Sequence, residues 1–254
     1  MRNSGDSHRS VWIYGIHPVS VLLSQTHRQI FQIFLSRERQ DQRIQTIEQL
    51  AHSKGISLQR LSATEMQRRF PDMSHQGVVA SVEAMESLGE SDLLTLVQEA
   101  TSPLLILIFD GITDPHNLGA CLRTAEATGV NFVVIPKDKN VGLTPVVSKV
   151  ACGAAELIPM VRVTNLARAI DVLKEAGVWV YGAAGESSRM LYDLDCKNSM
   201  AIVMGSEGEG LRRLTRERCD EVFSIPMQGC VESLNVSVAT GVILYEILRQ
   251  RLKM

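Results

Sequence analysis

The sequence predicts an α/β protein in two parts, a small mixed unit followed by a larger one built on a parallel sheet. From Pro103 onward, continuous apolar runs (LLILIFD, NFVVIP, ELIPMVRV, VWVYGAA, MAIVMGS, EVFSIPM) are split by helical segments such as TNLARAIDVLKEAG. Runs without polar alternation belong to strands buried on both faces, the signature of a parallel sheet covered by helices. Charge also shifts along the chain. Residues 1–80 hold 10 Lys+Arg against 6 Asp+Glu and five of the six histidines, while the remainder holds 16 against 22. A basic module that meets phosphates ahead of a mildly acidic one is the sharper reading, and chance variation among solvated faces the plainer one.

The elements follow in order. After a polar tail, VWIYGIHPVSVLLSQ reads as a loop into a helix carrying Val19, Leu22 and Leu23. IFQIFLS (30–36) is expected as a buried strand and RIQTIEQLAHSKG (43–55) as a helix ended by Gly55. ISLQRLS should be a strand, TEMQRRF a short helix, and GVVASVEA a strand. MESLGESDLLTLVQEATSP, polar and then Leu-rich, is the expected linker with a helix inside it. The boundaries are thus 1–85, a linker at 86–102, and 103–254. The last segment, LNVSVATGVILYEILRQRLKM, has the apolar stripe of a terminal packed helix.

At 254 residues with 45% hydrophobic and 21% charged residues, the composition is that of an ordinary globular chain. No apolar run has the length that a bilayer demands, and MRNSGDSHRSVW lacks the features of a secretory signal, so no membrane and a cytoplasmic location are expected. Five dispersed cysteines (121, 152, 196, 219, 230) form no CxxC pair or Cys/His cluster, so neither a disulfide nor a metal is expected. GxGxxG and the P-loop are both missing, since GEGLRR places Arg213 where a third glycine belongs.

Ligands of such sheets bind outside the carboxyl ends of the strands, and three strand ends carry unusual residues. In DPHNLGACLRT, Pro115 and Asn117 form a turn where Asn117 can cap a helix. Leu118, Leu122 and Ala125 then face inward, and Arg123 stands among Gly119, Ala120 and Ala127. The modest alternative for Arg123 is an exposed pair with Glu126. MGSEGEGLRR holds Glu207 between glycines, where the positive end of a helix beginning near Leu211 would favour it. IPMQGCVESLNVSVATG opens the last helix with Ser233, a natural N-cap, followed by Asn235 and Ser237.

NLGACLRTAEATG, IVMGSEGEGLRR and IPMQGCVESLNVSVA resemble, in order and spacing, the three signature motifs of the SpoU (TrmH-like) branch of the SPOUT methyltransferases. YGIHPVSVLL and HQGVVASV resemble the substrate-binding domain of the members that methylate a guanosine ribose of bacterial large-subunit rRNA. The resemblance implies a small N-terminal RNA-binding domain similar to ribosomal protein L30e. A SPOUT-type parallel-sheet catalytic domain with a C-terminal trefoil knot would follow it. It further implies S-adenosyl-L-methionine as methyl donor, a 2'-hydroxyl of 23S rRNA in the peptidyl-transferase loop as acceptor, and a homodimer whose sites use both subunits.

By the same resemblance Asn117, Arg123, Glu207, Ser233 and Asn235 are the catalytic set. Gly205, Ile225 and Leu234 contact the cofactor through backbone groups, with Met204, Pro226 and Met227 lining its adenine pocket. A guanidinium is essentially always protonated, so Arg123 is better read as a phosphate clamp than as a base. Its small neighbours would then leave room for the RNA backbone, with Asn117 and Glu207 holding Arg123 and the ribose in register. The rivals are a 2'-O-methyltransferase acting on tRNA or another rRNA site, and a non-catalytic RNA-binding assembly protein.

Overall fold

A computed structural model describes residues 10–25, 28–71, 73, 75–84 and 88–252. The polar tail, the first two residues of the expected linker and the last two of the segment expected as the terminal helix lie outside that set. The chain divides into two units, one holding Met1–Glu86 with Cys152–Leu157 and the other Ser87–Ala151 with Ile158–Met254.

The first unit contains β1 (Ser10–Tyr14), α1 (Ile16–Gln25), β2 (Ile30–Ser36), α2 (Gln42–Ser53), β3 (Ser57–Leu61), α3 (Ala63–Arg69) and β4 (Val78–Glu83). Its sheet runs β1-β4-β2-β3, with β2 parallel to β3 and the other pairs antiparallel. The stretch expected as a loop before α1 is a strand, because Val11 to Tyr14 pair with Val79 to Val82, a partner that local pattern cannot announce. Ile13, Ile33, Leu35, Val78, Ala80 and Val82 point to one face and are buried with α1 and α2. Tyr14, Phe34, Leu61 and Val79 point to the other and are covered by Met66 of α3 and by Phe70 at its C-cap. Ser62 begins α3 with a capping box: its hydroxyl accepts the Glu65 amide while Glu65 accepts the Ser62 amide.

The second unit contains α4 (Asp92–Gln98), β5 (Leu105–Asp110), α5 (Pro115–Ala127), β6 (Phe132–Pro136), α6 (Pro145–Val150), β7 (Met160–Val163), α7 (Leu166–Glu175), β8 (Trp179–Ala183), β9 (Met200–Gly205), α8 (Arg213–Arg218), β10 (Glu221–Phe223) and α9 (Val236–Arg251). All strands are parallel, in the order β10-β8-β9-β5-β6-β7. Ile106, Ile108, Val134, Val161, Val180 and Val203 share a core with Ile170 and Leu173 of α7 and Leu93 of α4. Each such fully buried side chain stabilises the unit by about 1.5–3 kcal/mol relative to exposure. The segment expected as a linker therefore contributes to this core through α4.

Alternate residues Leu105, Leu107 and Phe109 are equally buried and face the opposite side, as does Leu122 of α5. The close approach of α5 to α6 depends on Gly119: a Cβ there would lie 2.7 Å from Val150 Cβ and 3.0 Å from the Val147 carbonyl. Two expected strands are shorter than their apolar runs. β7 begins at Met160, after a 3-10 turn at Ala154–Glu156, and β10 ends at Phe223, leaving 225–235 irregular at the carboxyl end of the sheet.

Candidate active site

The carboxyl ends of β8, β9 and β10 surround a cleft of about 770 Å³. The loop after β9 folds back on itself through paired bonds between Ser206 and Gly210 (3.0 and 3.1 Å). Only glycine fits at 205, since a Cβ there would lie 2.2 Å from the Gly210 carbonyl carbon. The loop is moored to β5 by the buried Asp110, whose Oδ2 accepts the Arg212 amide at 2.9 Å. Asp110 Oδ1 stands 3.4 Å from the Arg212 guanidinium, an ion-pair contact without hydrogen-bond geometry.

At the mouth of the cleft, three polar side chains from three strand ends meet. Glu207 Oε1 accepts from Asn117 Nδ2 at 2.7 Å and from Asn235 Nδ2 at 2.8 Å. Asn235 Nδ2 also donates to Asn117 Oδ1 at 3.1 Å. Asn235 Oδ1 accepts the Ser237 amide at 2.9 Å and the Ser237 hydroxyl at 2.6 Å. These bonds fix which way both amides face. Below them, burial pushes the Cys121 thiol up to about 11, with a smaller opposing effect from its Thr240 contact and a small further rise from the Glu207 charge. Cys121 is a core residue, held neutral.

Two expected caps are corrected by this geometry. Asn117 does not cap α5: Asp114 does, accepting the His116 amide at 2.9 Å, and that frees the Asn117 amide for Glu207. Ser233 does not cap α9 either, because the helix begins at Val236 and Asn235 is its N-cap. Glu207 is held by two amides rather than by a helix end, since α8 starts only at Arg213 with Arg212 at its N-cap.

Arg123 lies about 1.7 turns beyond Asn117 on α5, exposed, and has no hydrogen bond or ion pair with any described residue. Neither Arg123 nor Asn117 is among the cleft walls, and Arg123 makes no hydrogen bond or ion pair with Asn117, Glu207 or Glu126.

Met204, Gly205, Ile225, Met227, Ser233 and Leu234 line the cleft, together with Glu207 and Asn235. Pro226 is not among its walls. Reading the motifs missed Ala183, Ala184, Gly185 and Glu186 at the end of β8, and Ala239 and Ile243 of α9. The run AAGES directly after a buried strand carries the same strand-end signal as the other loops. The charged residues of the wall are Glu186, Glu207 and Glu232, all acidic, with Glu186 paired to Arg216. The amides of Ile225, Met227 and Leu234 donate to no described group.

The SpoU rRNA Methylase family matches residues 104–245. The chain belongs to that family. Residues 12–88 match a second family, the RNA 2'-O ribose methyltransferase substrate-binding domain. Similar proteins include the 23S rRNA (guanosine-2'-O-)-methyltransferases RlmB of Coxiella burnetii, 52% identical over 94% of this chain and 95% of the relative, and of Pasteurella multocida, 50% identical over 94% and 98%. Among solved structures, the SpoU methyltransferase AviRb from Streptomyces viridochromogenes, crystallised with AdoMet, superposes with a TM-score of 0.80 at 23% identity, covering 96% of this chain and 92% of that one. A TrmH/SpoU tRNA-modifying enzyme of A. aeolicus aligns over only 65% of this chain, at a TM-score of 0.55 and 27% identity. As a SpoU family member, the chain has the mixed α/β architecture and the parallel sheet that its sequence predicted.

Proposed function

We propose that this protein transfers a methyl group from S-adenosyl-L-methionine to the ribose 2'-hydroxyl of a guanosine in 23S rRNA, at a site in the peptidyl-transferase loop. The observation that carries the reading is the Asn117–Glu207–Asn235 constellation at the mouth of the cleft, in a chain of this family. The walls suit the methyl donor. Their volume lies in the range of small-molecule sites, Met204, Ile225, Met227 and Leu234 supply apolar surface, and the free amides of 225, 227 and 234 offer donors to a base edge. The acidic lining without a basic residue favours a ligand of net positive charge.

When bound, the donor would supply an electrophilic methyl on a sulfonium for in-line displacement by the ribose oxygen, with neutral thioether as the leaving group and the hydroxyl proton released. The protein's part is enclosure and alignment, because a dry site that fixes nucleophile and methyl supplies much of such an acceleration. The loops 205–210 and 225–235 enclose, in the threaded arrangement that the family implies. The two amides on Glu207 Oε1 leave its second oxygen to accept from the ribose hydroxyl, and Ser233 stands beside it on the wall. Arg123 holds the neighbouring phosphate. Since it does not line the cleft of its own chain, its service belongs to a homodimer in which each site draws on both copies.

Labelled methyl transfer to unmodified 23S rRNA, mapped as a nuclease-resistant 2'-O-methyl dinucleotide, tests the reading. One labelled guanosine in the peptidyl-transferase loop is expected. Label on tRNA instead would overturn the address, and label on neither RNA would overturn the reaction.

A further inference from the structure

Among the described residues of the first unit, no helix covers half of one sheet face. On that face α3 covers the row Tyr14, Val79 and Phe34. The next row, Trp12, Ser81, Gln32 and Ser57, runs in register across all four strands. None of these four is buried, and Trp12 is 37% exposed. The Ser81, Gln32 and Ser57 side chains make no hydrogen bond with any described residue. Strands lie about 4.8 Å apart, so a flat group on the indole has its edge within reach of Ser81 and then of Gln32.

Trp12 is also held in place. Its ring lies 5.2 Å from Phe70 and 5.9 Å from Phe34. The Arg69 guanidinium sits 4.3 Å over the same Phe34 ring and 5.8 Å from Phe70. Arg68 and Arg69 are exposed, and neither has an ion-pair partner among the described residues. Glu65 closes the capping box within the field of Arg68, and Glu38 accepts from Ser36 and the Ala63 amide. Arg69 is thus an exposed guanidinium beside this row, seated on the Phe34 ring with no carboxylate bonded to it among the described residues.

We propose that this row is a binding site for an unpaired nucleotide of the RNA substrate. The base stacks on Trp12, its edge is read by Ser81 and Gln32, and its phosphate is met by Arg69 and Arg68. The assignment rests on the RNA reading above and adds an address to it. Every base has a π-face, so an aromatic platform beside free guanidinium groups selects single-stranded nucleic acid over duplex.

The chain has two tryptophans, and the second, Trp179, is 51% exposed on β8 in the other unit. In full-length Trp179→Phe protein, emission therefore reports Trp12 alone. Saturable quenching is expected with a short unstructured oligoribonucleotide and much less with a matched RNA hairpin duplex. Trp12→Ala should weaken binding of unmodified 23S rRNA roughly 5- to 150-fold. It should raise KM for RNA, leave kcat and S-adenosyl-L-methionine binding unchanged, and be largely rescued by Trp12→Phe. Trp12→Leu keeps an apolar cover on Phe70 while losing the stack, so the same loss there excludes a packing effect. Intact methyl transfer without quenching, equal quenching by duplex, or unchanged RNA affinity in both variants would overturn this site alone. Concentration-dependent self-association abolished by Trp12→Ala would give the face to a second copy and overturn it too. No methyl transfer by the parent to any RNA would instead bring down the proposed function, and this site with it.

Discussion

Replacing Asn235 by Asp separates two jobs that one side chain performs. As the N-cap of α9, Asn235 Oδ1 accepts from the Ser237 amide and hydroxyl, and a carboxylate oxygen does both, with charge of the right sign for a helix N-terminus. As the bridge, Nδ2 donates to Glu207 Oε1 at 2.8 Å and to Asn117 Oδ1 at 3.1 Å, and a carboxylate does neither. At 2.8 Å, two like charges repel by about 1.5 kcal/mol at the dielectric of water and about 6 kcal/mol at an effective dielectric of 20. Both groups are exposed, so the lower figure applies and the side chains swing apart. Fold stability of Asn235→Asp should stay within about 1 kcal/mol of the parent, whereas Asn235→Ala loses the cap, typically about 1 kcal/mol. Both variants should lose activity, and 1.5 kcal/mol of lost alignment in the transition state is about tenfold in kcat/KM. Single-turnover methyl transfer at neutral pH, beside urea unfolding curves, reads both jobs. Parental activity of Asn235→Asp would show the bridge to be idle, and parental stability of Asn235→Ala would refute the cap.

Gly119→Ala drives a methyl into Val150 and the Val147 carbonyl, so overpacking should cost about 1–3 kcal/mol in denaturant unfolding, and an unchanged midpoint would refute the α5–α6 contact. Burial pushes the Cys121 and Cys196 thiols up to about 11 and Cys219 to about 12, while Cys230 is exposed. At mildly alkaline pH a thiol reagent should modify Cys230 quickly and those three only on unfolding. The unfolded thiols ionise near 9.0, below the folded ones. The folded state thus holds more protons between about 9 and 11, and stability should fall as pH rises through that window. Refolding Arg123→Ala chains together with Glu207→Ala chains should return about one quarter of parental activity if each site takes its arginine from the other copy, since about half the dimers are mixed and one of their two sites is intact. No recovery would return Arg123 to its own cleft.

The second unit was legible because burial on both faces writes itself into the sequence: Leu105 to Asp110 and Phe132 to Pro136 are buried throughout. Where pairing is distant or absent, pattern misleads. Trp12 and its neighbours look like a loop beside Gly15 until β4 supplies a partner. Ile225 to Met227 continue an apolar run, yet strand pairing stops at a single bridge at Ser224, and Ser224, Ile225 and Met227 line the cleft instead. Segment 152–157 was illegible for a similar reason, since its packing lies with distant residues, including Val21 against Gly153 and Arg28 with Glu156.

Within the site, the three strand ends could be read from glycine spacing and misplaced polar residues, but their contacts could not. Ser233 and Asn235 are both good caps two positions apart, and only the placement of Leu234 in the cleft wall with Val236 opening the helix decides between them. The surroundings of Arg123 are shaped in part by helix packing. Its small neighbours invite a ligand, but Gly119 is taken up by the approach of Val150, so helix packing already accounts for one of them. What remains on the Arg123 side is exposed surface. The case for a phosphate clamp therefore rests on a free, exposed guanidinium and not on a cradle of small residues, and a flat exposed site gains its grip when a second surface closes over it. That is the physical ground for expecting Arg123 to act across a dimer, and the mixed-chain experiment tests it directly.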